Sequence, residues 1–120
     1  MSYVMAIDAG TGSVRAVIFD TKGNQLGVAQ QEWTHLEEEG IPNSMSFDFS
    51  KNWTLVCECV KKSILNAGIN AVDILALSAT SMREGIVLYD KDGNELWGVA
   101  NVDARASAEV KELKANFEGI

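Results

Sequence analysis

Two apolar runs, Val4-Met5-Ala6-Ile7 and Arg15-Ala16-Val17-Ile18-Phe19, flank a short stretch rich in glycine and hydroxyl residues, Asp8-Ala9-Gly10-Thr11-Gly12-Ser13-Val14-Arg15. Parallel strands need a long crossover between them, and nothing here is long enough to supply one. The two runs are therefore predicted to pair as antiparallel strands about a tight turn. A second turn, Asp20-Thr21-Lys22-Gly23-Asn24, leads to Leu26, Val28 and Trp33, which predicts a third strand over about 26–34 and an antiparallel meander.

The first turn has the composition of a phosphate-holding loop. Gly10 and Gly12 allow close backbone approach to a ligand, successive amides and the hydroxyls of Thr11 and Ser13 can donate to phosphate oxygens, and Arg15 adds a charged donor. Asp8 suits such a site only if a cation accompanies the phosphate. The octet alone leaves two readings open, a phosphate loop or an ordinary turn between strands, because G-x-G spacing is common. It is not a P-loop, since no Gly-Lys-Ser/Thr follows. Nor is it a dinucleotide fingerprint, since Arg15 stands where the third glycine belongs and a strand rather than a helix follows.

A net charge of -7 argues against a nucleic-acid or anionic-membrane partner, so any phosphate ligand must be held by local donors. With 120 residues, 47% hydrophobic and 22% charged, the chain has the composition of one ordinary globular domain. It contains no leader-like opening and no apolar run long enough to span a bilayer, so the cytoplasm is the expected location. Cys57 and Cys59 fall two apart in a predicted helix and point to nearly opposite sides, which suits reduced structural thiols. His35 has no evident ligand partners and reads as a surface or satisfied histidine.

Residues 36–45, with Glu37-Glu38-Glu39-Gly40 and the only proline, Pro42, read as an exposed loop whose acidic run is a solvated face. A helix is predicted over about 50–67, with Trp53, Val56, Cys57, Val60, Ile64 and Ala67 as its core stripe. Asp48 or Ser50 can cap its start, and Gly68 can end it in the left-handed conformation. Asp73-Ile74-Leu75-Ala76-Leu77-Ser78-Ala79 is nearly unbroken in its apolar character, which predicts a strand buried on both faces. The outline is an α/β fold, a mixed sheet with helical cover.

At the end of that strand stands Thr80-Ser81-Met82-Arg83-Glu84-Gly85. Arg83 and Glu84 lie between apolar segments, and there too two readings remain: a donor fork and an acceptor for a substrate with several hydroxyls, or two solvated charges on a turn. Asp90-Lys91-Asp92-Gly93-Asn94 repeats the pattern of the turn at Asp20 and predicts a second hairpin rather than a calcium loop, because Glu95 occupies the place of the required glycine. Asp103 is placed to cap a last helix carrying Ala106, Val110, Leu113 and Phe117 on one face.

The octet Asp8 to Arg15, then Ser81-Met82-Arg83-Glu84-Gly85, then Asn101-Val102-Asp103-Ala104-Arg105, in this order and spacing, resemble the amino-terminal part of the FGGY carbohydrate kinases, the family of glycerol kinase and xylulose kinase. The resemblance covers essentially the whole chain. It implies a ribonuclease-H-like, actin-like ATPase fold, present here as an incomplete first domain over residues 1–120. It further implies ATP and Mg²⁺ as cofactors, with Asp8 helping to place the metal and Gly10, Thr11, Gly12, Ser13 and Arg15 facing the phosphates. Arg83 and Glu84 would hold hydroxyls of a small-molecule substrate, as in the glycerol-kinase branch, and Asp103 would line or support that pocket. Phe47-Asp48, Lys51-Asn52-Trp53, Cys57-Glu58-Cys59 and Asn66-Ala67-Gly68-Ile69 extend the likeness to one branch whose acceptor is a small linear hydroxyketone.

Family members place a general-base Asp and the adenine pocket beyond the point where this chain stops, at Glu118-Gly119-Ile120. The resemblance therefore implies a fragment that holds no catalytic base and is inactive alone. Two alternatives accompany it: a kinase for another polyol or ketose, and a non-catalytic phosphate-binding or regulatory module of the actin-like group.

Overall fold

In a computed structural model, which describes residues 1–117, the early runs form the expected meander of β1 (Tyr3–Ala9), β2 (Ser13–Asp20) and β3 (Gln25–Glu32). The ladders run antiparallel, with Ala6 opposite Val17 and Ala16 opposite Ala29. Helix α1 (Phe49–Ala67) then carries the chain across to β4 (Ile74–Ser81), which joins β1 in parallel, giving the strand order β3-β2-β1-β4. The sheet is mixed for the reason the linkers gave: tight turns connect its antiparallel members, and a helix connects the parallel pair. The described chain forms two units, Met1–Thr34 with Asp48–Arg83 in one and His35–Phe47 with the residues from Glu84 onward in the other.

Helix α1 begins on Asp48, whose carboxylate accepts the Lys51 amide at 2.9 Å, and ends on Gly68 at φ 65°. Its packing differs from the predicted stripe. The fully covered positions are Asn52, Cys59 and Ser63, whereas Trp53 is 67% exposed. The cause is the sheet beneath it. Gly27, Ala29 and Ala16 form a floor of small residues on β2 and β3, and the helix lies so close that a Cβ on Gly27 would stand 2.6 Å from the Ser63 carbonyl oxygen and 2.5 Å from the Ala67 nitrogen. No side chain fits at the Gly27 position, and the Cys59 thiol donates to the Ala29 carbonyl at 3.1 Å. Burial of this kind pushes the Cys59 thiol pKa up. Both cysteines are free.

The bulky face of α1 instead borders a trough of about 580 Å³, lined by Trp53, Val56, Cys57 and Val60 from the helix and by Ile7, Ala9, Leu77 and Ala79 from the sheet. β4 is accordingly not buried on both faces: it is the edge of the sheet, and Leu75 and Leu77 are exposed. Among the described residues β4 has β1 as its neighbour on one side only, although its apolar sequence suits a strand covered on both faces.

In the second unit β5 (Ile86–Tyr89) and β6 (Glu95–Val99) form an antiparallel hairpin, and α2 (Ser107–Asn116) follows. The sequence echo between the two hairpin turns is realised in detail. Asp20 Oδ1 accepts the amides of Lys22 and Asn24 at 2.9 Å each, Asp90 Oδ1 accepts those of Asp92 and Asn94 at 2.8 and 2.9 Å, and Gly23 and Gly93 sit at φ 86° and 85°. Each Asp side chain folds its own turn, and the glycine supplies the left-handed residue. The 36–46 loop is stitched to the hairpin by bridges Leu36 to Ser46 and Ser46 to Val99. Helix α2 starts on Ala106 without a side-chain cap, so Asp103 does not cap it, and Val110, Leu113 and Phe117 remain partly exposed. The terminal Glu118-Gly119-Ile120 lies outside the described residues.

Candidate phosphate and substrate site

The glycine-rich turn occupies the carboxyl end of β1, where Gly10 donates its amide to the Ser13 carbonyl at 2.8 Å and closes the turn. Trp33, just beyond β3 and only 5% exposed, holds the turn from beneath. Its indole N–H is shared between the carbonyls of Gly10 and Thr11, 3.1 Å from each, and its backbone amide reaches the Gly12 carbonyl at 3.1 Å. Three consecutive carbonyls are thus tied to one residue. A turn fixed through its carbonyls presents its backbone to a ligand without a fresh ordering cost.

Charged and polar side chains cluster beside it. Asp8 and Arg15 are directly opposite across the β1–β2 ladder, and Asp8 stands beside Thr80 on β4. Arg15 does not pair with Asp8; its Nε and Nη2 donate to Oε1 of Gln30 at 3.2 and 3.0 Å, and Gln30 Nε2 donates in turn to Ser13 Oγ at 3.2 Å. The Asp8 carboxylate is exposed and takes part in no ion pair among the described residues. One hard carboxylate completed by phosphate oxygens and waters is the usual donor set for Mg²⁺, and Asp8 fits that role. Arg83 stands at the same end of the sheet, because β4 runs parallel to β1 and Met82 donates its amide to the Ala9 carbonyl at 2.9 Å. The octet and Arg83 therefore share the carboxyl ends of a parallel strand pair, the place where open α/β sheets collect ligands.

Glu84 belongs to the second unit and adopts φ 63°, an uncommon conformation for a residue with a Cβ. Asp103 lies in that unit too, but its carboxylate is engaged internally. Arg105 Nε lies 2.9 Å from Oδ1, Nη2 lies 2.9 Å from Oδ2, and the Met45 amide donates to Oδ2 at 2.6 Å. The guanidinium bonds hold the Asp103 pKa down at about 2, against the opposing effect of burial. Arg105 also donates to Glu38 Oε1 at 3.0 Å and Ser46 Oγ at 3.2 Å, and stacks 5.0 Å from the Trp97 ring centroid. Glu38 further accepts from Ser46, which with Arg105 lowers its pKa.

Sequence reasoning missed Gln30, the anchoring role of Trp33, Arg105 and Glu38. The acidic run at 37–39 reads locally as a solvated face, yet Glu38 is an ion-pair partner of a residue 67 positions away. His35 packs against Phe47 with ring centroids 6.0 Å apart.

Comparison with known proteins adds ancestry to this geometry. The family model for the N-terminal domain of the FGGY family of carbohydrate kinases matches residues 3–119. Autoinducer-2 kinase of Escherichia coli (strain K12) is 60% identical over 112 residues, 93% of this chain and 21% of the relative. Autoinducer-2 kinase of Enterobacter sp. (strain 638) is 59% identical over 114 residues, 95% of this chain and 22% of the relative. The chain thus spans about a fifth of the length of these curated relatives. Among solved structures, a xylulose kinase from Brucella ovis superposes with a TM-score of 0.80 at 20% identity, covering 95% of this chain and 24% of that one. At that identity the likeness speaks for the fold, an actin-like ATPase fold present in part.

Proposed function

The chain belongs to the FGGY family of carbohydrate kinases, and from that premise we propose that the longer protein carrying it phosphorylates the terminal hydroxyl of the autoinducer-2 precursor, a small linear hydroxyketone, using ATP in quorum-sensing signal processing. The observation that carries the reading is the shared sheet end, where a turn pinned by Trp33 meets Arg15, an unpaired Asp8 and Arg83. The identity of about 60% to autoinducer-2 kinases supports the choice of acceptor.

In this reading Gly10, Thr11, Gly12 and Ser13 orient the phosphates through amides and hydroxyls, and Arg15, steadied by Gln30, supplies a fixed positive charge. Asp8 holds Mg²⁺, which when bound neutralises phosphate charge. Arg83 and Glu84 grip acceptor hydroxyls, one as donor fork and one as acceptor. Phosphoryl transfer asks chiefly for alignment and charge neutralisation, which these residues supply. The general base comes from outside this stretch, so residues 1–120 alone turn over no substrate. No helix among the described residues is long and apolar enough to cross a membrane.

The test is a substrate panel on the full-length protein with Mg²⁺ and ATP, with ADP release and ³¹P NMR as readouts. The autoinducer-2 precursor should exceed xylulose, glycerol and gluconate in kcat/KM by at least tenfold. A higher value for any of the other three would replace the acceptor, and transfer to none of the four would overturn the kinase reading.

A further inference from the structure

The Asp103 side chain, a sequence-predicted site group, is engaged by its own fold. It is 8% exposed, and four N–H donors, the backbone amide, Nε and Nη2 of Arg105 and the amide of Met45, cover both oxygens. A substrate hydroxyl could reach this carboxylate only by displacing one of them. Arg105, the partner that commits Asp103, also reaches other parts of its unit. Arg105 joins Asp103, Glu38 and Ser46 by hydrogen bonds and lies over Trp97, so residues from the 36–46 loop, from β6 and from the approach to α2 meet on one guanidinium. Backbone bonds reinforce the same junction: Ala104 donates to the Asn43 carbonyl at 2.9 Å and Ala100 to that of Met45 at 3.1 Å.

Such a cluster is a poor device for stability alone. Arg105 and Asp103 are largely withdrawn from water and Glu38 partly so, and apolar side chains of similar size would hold the segments together at a smaller desolvation cost. What a satisfied ionic network supplies instead is a single geometry, since a shifted loop would leave a charge unpaired.

We propose that Arg105 is a positioning residue for acceptor binding. Resting on the kinase reading above, the inference is that Arg105 locks the 36–46 loop onto the Asp103 turn, and that this fixed junction, rather than contact by the Asp103 carboxylate, is how the segment serves the hydroxylated substrate. Affinity for the acceptor then depends on the lock, and affinity for ATP, held by the turn at Gly10, does not.

The experiment is steady-state kinetics of the full-length protein and its Arg105→Gln, Glu38→Gln and doubly substituted forms, with KM measured for acceptor and ATP separately. Arg105→Gln should raise the acceptor KM at least tenfold and leave the ATP KM within twofold. Glu38→Gln, which touches the lock from the loop side, should raise the acceptor KM about threefold, and the double variant should be no worse than Arg105→Gln. If Arg105→Gln does not fold, Arg105→Lys, which keeps the charge without the planar fork, and Glu38→Gln carry the test with the same expected direction. An unchanged acceptor KM overturns the proposal, as does an equal rise for ATP. A silent Glu38→Gln beside a damaging Arg105→Gln overturns it as well, because Arg105 would then be touching substrate directly. A wild-type enzyme that phosphorylates nothing overturns the parent reading before any variant is compared, whereas an active wild type with silent variants overturns this inference alone.

Discussion

The indole N–H of Trp33 donates to the carbonyl oxygen of Gly10 at 3.1 Å, so a residue beyond the third strand fixes the backbone of the turn between the first two. Replacement by phenylalanine keeps a buried ring and removes the donor. Trp33→Phe is expected to lower stability by about 1 kcal/mol, the usual worth of such a bond. In the full-length enzyme it should raise the ATP KM several-fold more than the acceptor KM. An acceptor-selective defect would contradict the role given to the turn.

Gly27 sets how closely α1 lies on the sheet. A Cβ there would meet backbone atoms of Ser63 and Ala67, both closer than 3.0 Å, and backbone cannot rotate away as a flexible side chain does. Gly27→Ala should therefore destabilise by roughly 1–3 kcal/mol, the range for overpacking a tight interior. Thermal unfolding measures it, and a variant as stable as the parent would show that the helix shifts freely.

Glu84 holds φ 63°, a conformation that costs a side-chain-bearing residue free energy and that glycine adopts without penalty. Glu84→Gly should keep stability within about 1 kcal/mol of the parent, strain relief offsetting the added chain entropy. The same change should raise the acceptor KM at least tenfold, while Glu84→Ala, which keeps a Cβ at the same strained φ, should leave stability near that of the parent and lose affinity alike. A fully active Glu84→Gly enzyme would remove Glu84 from the substrate site.

Acid should weaken the second unit in a defined window. Folding holds Asp103 at about 2 through the Arg105 bonds, against about 4 in an unfolded chain, and Glu38 is lowered in the same direction by Ser46 and Arg105. A carboxylate lowered by folding contributes its full stability above the unfolded value and loses it as pH falls through the folded one. The contribution of Asp103 is thus complete above about pH 4 and fades toward about pH 2. Melting temperatures measured between pH 6 and pH 3 should fall more steeply for the parent than for Asp103→Asn, which starts lower. Parallel curves would mean that the Arg105 bonds do not persist in solution.

The sequence by itself determined what depends on neighbours along the chain. Short linkers dictated the antiparallel meander, a helix-length crossover dictated the parallel β4, Asp48 and Gly68 bounded α1, and the repeated Asp-x-x-Gly-Asn pattern gave the same turn twice. The three spaced motifs sufficed to indicate the family. Tertiary structure decided which groups met across distance. Helix periodicity measures how apolar a face is, not how near the sheet lies, so it selected the bulky Trp53 face over the small one that fits against Gly27 and Ala29. Apolar composition likewise marks a strand that can be buried, but whether β4 gains a second neighbour depends on what else is folded beside it. The use of Gln30 to steady Arg15, of Trp33 to pin Gly10, and of Glu38 to close the Arg105 junction left no local pattern at all, because each pairs residues whose separation along the chain is erased only by folding.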